Sequence, residues 1–159
     1  MKRTRRARKN KNRVWPMMLL ILGAVGVVMG VVFIYQGVTK SNLMKEAMRQ
    51  EKISLDFVPG VPKGEIIDTS QKAMLAGDTI RGHRRHIAPT YEALLGGQKF
   101  NPANPKELIY AQALNMENYL YLAVVGFGLT QVAMASGVFM IIMGIAIGGT
   151  GIMLYNMRR

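Results

Sequence analysis

His83 and His86 are the first residues to weigh for chemistry, because imidazole serves readily as general base and metal ligand and the chain holds no other histidine. On a helix, a spacing of three places the two rings on neighbouring positions of one side. Two nitrogens do not complete a site, however: no third ligand is specified, and Arg84 and Arg85 put positive charge between them where a cation would bind. Asp78, His83 and Glu92 are the residue types of an acid–base centre, yet their spacing selects such a centre no better than a solvated surface. The GxSxG, P-loop, HExxH and dinucleotide fingerprints are all missing. With no cysteine, the chain has no disulfide, no thiolate zinc site, no iron–sulfur cluster and no covalently attached c-type haem. The 13 methionines are scattered rather than grouped in MxxM repeats with histidine, which argues for gap filling and adaptable contacts over copper handling. These observations predict a chain that is not an enzyme and carries no metal and no cofactor. A His-based metal or haem site is the third-ranked alternative.

The elements that must position these residues are set by two charge-free runs, 14–39 and 118–157. About 20 helical residues cross a hydrocarbon core about 30 Å thick. The first run is of one-span length, and the second has twice that length. The net charge of +12 is unevenly placed. Lys2, Arg3, Arg5, Arg6, Arg8, Lys9, Lys11 and Arg13 precede the first run, Arg158 and Arg159 follow the second, and all nine carboxylates lie between Glu46 and Glu117. Basic charge flanking apolar spans marks the cytoplasmic side, so both termini are expected there and the near-neutral middle outside. The basic tract, read as unstructured by itself, is expected to lie on anionic lipid headgroups, and with no aromatic residues among its charges it is not read as a nucleic-acid contact. The first apolar run exceeds the 7–15 residues of a signal-peptide core and reads as an uncleaved signal anchor.

The expected division is a cytoplasmic tail at 1–16, a first transmembrane helix at 17–38, a mostly helical extracytoplasmic domain at 39–131, a second transmembrane helix at 132–155 and a cytoplasmic end at 156–159. Trp15 and Pro16 mark the membrane boundary, with Pro16 in a first helical turn. Gly23, Gly26, Gly30 and Gly37 lie on one side of the first span, and Gly137, Gly144, Gly148 and Gly151 pattern the second. Each set contains a GxxxG, the spacing that lets helix backbones approach closely, so the two seams are expected to pack on each other. Within the middle, residues 40–52 continue the first helix outward. Ile53, Leu55 and Phe57 give a weak extended signal before Pro59, Gly60, Pro62 and Gly64 break the chain. Asp68 reads as an N-cap for a helix over 69–86, with Ala73, Ala76, Ile80, His83 and Ile87 as its apolar stripe and Pro89 as its stop. Tyr91–Leu95 could add one turn. Asn104-Pro105-Lys106-Glu107 is the clearest local signal: Asn caps, Pro suits the first helical position, and Glu107 meets free backbone N–H groups. No proline follows, so one helix is expected to run from Pro105 through the second span. The alternative is a tight hairpin turning near Thr130–Gly137.

The order of these features resembles a group of small bacterial two-span membrane proteins that often carry the label of aromatic ring-opening dioxygenase subunits. The matching positions are Ile80 and His83, Tyr91-Glu92-Ala93, Asn104-Pro105 and the region from Gly144 to Gly151. The resemblance implies a fold and a membrane setting but no activity, since a ring-cleaving iron site needs two histidines and a carboxylate with open positions. The expected class is therefore an all-α membrane protein of the bacterial cytoplasmic (inner) membrane, with two transmembrane helices and a small helical extracytoplasmic domain. Its expected role is that of a non-catalytic accessory subunit of a larger complex, such as a photosynthetic or respiratory energy-converting assembly. A self-associating membrane scaffold is the alternative.

Overall fold

The computed structural model describes the backbone of residues 2–157 and the side chains of residues 14–157. The chain is helical over 78% of its length, with no strand among the described residues. Four helices follow in order: α1 Lys2–Gln50, α2 Ser70–Ile87, α3 Tyr91–Leu95 and α4 Pro105–Asn156. The chain divides into two compact units, Met1–Thr39 with Thr130–Arg159, and Lys40–Leu129.

The first unit is an antiparallel pair of apolar helices with glycines at the contact. A Cβ on Gly23 would fall 2.6 Å from the Gly144 carbonyl oxygen, and one on Gly30 would fall 2.5 Å from that of Gly137. In return, a Cβ on Gly137 would meet the Gly30 carbonyl oxygen at 2.6 Å, and one on Gly144 the Gly23 carbonyl oxygen at 2.7 Å. Backbones this close require hydrogen as the side chain. Gly26, Gly37 and Gly151 also face the opposing helix, against Gly144, Met134 and Pro16 respectively. Gly148 differs: its nitrogen lies 2.6 Å from where a Cβ on Gly23 would stand, while a Cβ of its own would touch only the Gly23 Cα at 3.8 Å. The outer faces are open and apolar, as at Val28 and Phe139, which are 61% and 63% exposed.

Two expectations at the start of α1 are revised. The helix begins at Lys2, so Pro16 stands inside it rather than in a first turn, fully buried with its carbonyl oxygen facing Gly151. The basic tract Lys2, Arg3, Arg5, Arg6, Arg8, Lys9, Lys11 and Arg13 is part of that helix instead of unstructured, and its side chains lie outside the described residues.

The second unit packs the end of α1, the segment 51–69, α2 and α3 around the first half of α4. Its core is Leu55, Val58, Ile67, Ala73, Ala76, Ile80, Leu120 and Ala123. The extended signal at Ile53–Phe57 finds a partner after all: Leu55 N–H donates to the Glu65 carbonyl at 2.8 Å and Ile67 N–H to that of Ile53 at 3.0 Å, leaving a single antiparallel bridge. Asp56 closes this loop by accepting from Gly64 N–H at 2.6 Å and the Ser54 hydroxyl at 2.8 Å. The N-cap of α2 is Thr69 rather than Asp68, its hydroxyl accepting from Lys72 N–H at 3.2 Å. Asp68 is instead engaged by Lys72 Nζ at 2.8 Å and Arg49 at 3.4 Å, so ion pairing takes the carboxylate that would otherwise cap. Asn104 accepts from Lys106 N–H at 3.1 Å and donates to Glu107 at 2.7 Å, starting α4 at Pro105. From there α4 is one helix of 52 residues, with no hairpin turn near Thr130–Gly137.

Candidate functional site

Side-chain chemistry in the second unit concentrates where α2 lies on α4. The buried stripe of α2 is Ala73, Ala76, Gly77, Ile80 and Arg84. From Ile80 a helix can continue its inner face at either the third or the fourth residue. The chain continues it at Arg84, and His83 is exposed. A buried guanidinium needs a partner, and Glu117 supplies one from α4. Its two carboxylate oxygens accept from Arg84 Nε at 2.8 Å and Arg81 Nε at 3.0 Å. Arg84 also donates to the Tyr110 hydroxyl and lies 4.9 Å from the centroid of that ring. Arg81 stacks at 4.5 Å over Tyr121, whose hydroxyl donates to Asp78 at 2.6 Å. Tyr91 of α3 joins the edge, its ring 6.1 Å from Tyr110.

Electrostatics here follow from burial and pairing. Burial pushes the Glu117 carboxyl up, but the hydrogen bonds from Arg84 and Arg81 outweigh it and hold the group below the usual carboxylate range. Burial, reinforced by the bond to Asp78, pushes the Tyr121 hydroxyl up to about 12. Both oxygens of Glu117, the Nε groups of Arg81 and Arg84 and the hydroxyls of Tyr110 and Tyr121 are each engaged by a neighbouring side chain. The arrangement clamps α2 to α4.

On another side of α4 the second unit opens into a groove of about 510 Å³. Met48, Ile53, Phe57 and Ile67 form one wall, and Met116, Tyr119 and Leu120 of α4 form the other, with Gln112 and Asn115 at the edge. Tyr119 is 72% exposed, and Met116, Ile53 and Phe57 are also open to solvent. No charged side chain lines the cavity, whose lining is apolar apart from the amides of Gln112 and Asn115 and the hydroxyl of Tyr119.

No protein-family model, curated protein or solved structure matches the chain. His83 and His86 are both exposed on α2, and no group of three or more His, Cys, Asp or Glu side chains comes together among the described residues. The eight seam glycines belong to the first unit, and the clamp and the groove to the second. Sequence reasoning missed Arg84 and Glu117. The signal that could have found them is Glu117 itself, the last carboxylate before forty charge-free residues, one side of an apolar helix and in need of a cation.

Proposed function

We propose that this chain is a non-catalytic accessory subunit of a larger bacterial membrane assembly, with photosynthetic and respiratory complexes as candidate hosts. In this reading the α1–α4 pair crosses the cytoplasmic membrane, both termini are cytoplasmic and the basic tract rests on anionic headgroups. The helical middle lies outside and docks a protein partner. The setting is supported by two helices of span length and composition, of whose most apolar windows only 11% and 17% is buried. The likeness to small bacterial two-span proteins is in keeping with that setting.

The observation that carries docking is the groove. An uncharged cavity of about 510 Å³ between Phe57 and Tyr119 is open in a unit whose other surfaces are rich in ion pairs. Solvent-exposed aromatic and methionine side chains around a concave surface are the composition of protein-binding hot spots. The test is co-purification from native membranes with wild type and Tyr119→Asp, the fold monitored by helicity. Stoichiometric larger partners that are lost with Tyr119→Asp support the reading; a chain that migrates alone in both forms overturns it.

A further inference from the structure

A second surface on α4, which meets the groove only at Asn115, carries a seven-residue repeat. Asn115, Leu122 and Leu129 recur every seven residues, and Asn118 and Val125 recur every seven residues three places later. All five are exposed in the second unit. Along the sequence of α4 the count passes through Val132, Ser136, Phe139, Met143, Ala146 and Thr150 to Met153, without a charged residue. Amphipathic helices facing their own core bury such a column. Here the buried positions are Tyr110, Glu117, Leu120, Ala123 and Phe127, and the repeat lies on the opposite side.

Lipid is a poor cover for the outer half of this column. Within the second unit a Cβ on Gly126 would meet Met44, and Met48 lies beside Tyr119, so Lys45, Glu46 and Arg49 of α1 stand at the height of the exposed Leu122 and Val125. Arg49 is ion-paired with Asp68. Charged groups at that height keep it out of hydrocarbon, while water is a poor cover for Leu122 and Leu129, 65% and 66% exposed.

The geometry points to a second copy of this chain as the occupant, its α4 packed parallel to the first in a two-stranded coiled coil about a two-fold axis along the membrane normal. A 3.5-residue apolar repeat is the pattern by which two helices keep one face together over many turns. The column bears no charge, so a two-fold axis opposes no like charges across it. Asn115 and Asn118 are each donor and acceptor, and in a parallel pair each meets its own copy at equal height, the contact that fixes register and favours two strands. Within the second unit the apolar members Leu122, Val125 and Leu129 are 65%, 55% and 66% exposed, so each leaves more than half of its surface for a partner to cover. The parallel orientation rests on the membrane reading above, because copies inserted by the same basic N-terminus point the same way.

The chain has no cysteine, so single-cysteine variants report contacts without background. Leu122→Cys, Val125→Cys and Leu129→Cys, oxidised in native membranes, are expected to give a covalent dimer of twice the chain mass. Its yield should be about tenfold above that of Met116→Cys, whose Cβ points to the groove and sits too far from its copy for disulfide geometry. Leu122→Lys combined with Val125→Cys should lose the dimer while helicity is retained. Equal yields at 116 and 122, no dimer at any of the three positions, or a cross-link only to a different protein overturns the inference. The two proposals fail separately. If the column yields no dimer but Tyr119→Asp still sheds partners, only the second copy is lost; if the column cross-links while Tyr119→Asp retains every partner or there is none, only groove docking is lost.

Discussion

Replacing Gly144 by Ala tests whether backbone contact holds α1 to α4. The new Cβ would lie 2.7 Å from the Gly23 carbonyl oxygen, 2.8 Å from the Val27 nitrogen and 2.9 Å from Val27 Cγ2. The first two are backbone atoms, so no rotamer change relieves the overlap, and α1 must retreat by roughly 0.7 Å to restore ordinary contact distances. A gap of that size at the neighbouring Gly30–Gly137 contact forfeits a quarter to a half of the attraction there. Overpacking of this kind costs about 1–3 kcal/mol. Gly149 on the same helix is the control, because a Cβ there meets nothing within 4 Å. Gly→Ala improves helix propensity by up to about 1 kcal/mol at both positions, so that gain cancels in the comparison. The expected result is a Gly144→Ala variant less stable than Gly149→Ala by about 2 kcal/mol, roughly a thirtyfold change in the packed-to-separated equilibrium. Fluorescence transfer between labels on the two helices, followed through a denaturant titration in micelles, measures it. Midpoints for the two variants within about 0.5 kcal/mol of each other would refute the close-contact argument.

Glu117→Gln leaves the buried guanidinium of Arg84 without its counter-charge and should destabilise the packing of α2 on α4 by about 3 kcal/mol, read as loss of amide-exchange protection across Ser70–Ile87. The same carboxylate sets an acid limit: held below its ordinary value of 4.5, it stabilises the fold fully above that pH and progressively less as pH falls through its lower folded value. Unfolding midpoints should thus drop below about pH 4.5, and Glu117→Gln should flatten that dependence. The Tyr121 hydroxyl works in the opposite sense. Raised from 10.0 to about 12, it contributes stability that is complete below pH 10 and lost as pH rises toward 12; phenolate absorbance should show one tyrosine titrating late, absent in Tyr121→Phe.

The long elements are legible in the sequence because they depend on local rules. Asn104-Pro105 starts a helix whatever surrounds it, and the absence of any later proline lets α4 run to Asn156. The candidate site is less legible because its residues are chosen by tertiary partners. Periodicity from Ile80 permits His83 or Arg84 equally, and only the carboxylate of Glu117, thirty-three residues away, decides between them. Thr69 in place of Asp68 as the cap of α2 has the same cause, since Asp68 is drawn to Lys72 and to Arg49 on another helix. The groove depends on the bridge that joins Ile53–Leu55 to Glu65–Ile67. Neither half of that pairing carries enough pattern to announce the other.

Tyr110, Glu117 and Tyr121 do more than tie down α2. Spaced by seven and four along α4, they fix that helix's rotation about its own axis, and so decide which residues look outward. One residue inserted between Glu117 and Leu122 would turn everything beyond it by about 100°, carrying Leu122 toward the side chains of the core and a core residue into the open. An insertion is therefore expected to be tolerated in the segments between helices, such as that between Gln50 and Ser70, and in α4 to be tolerated best in steps of seven.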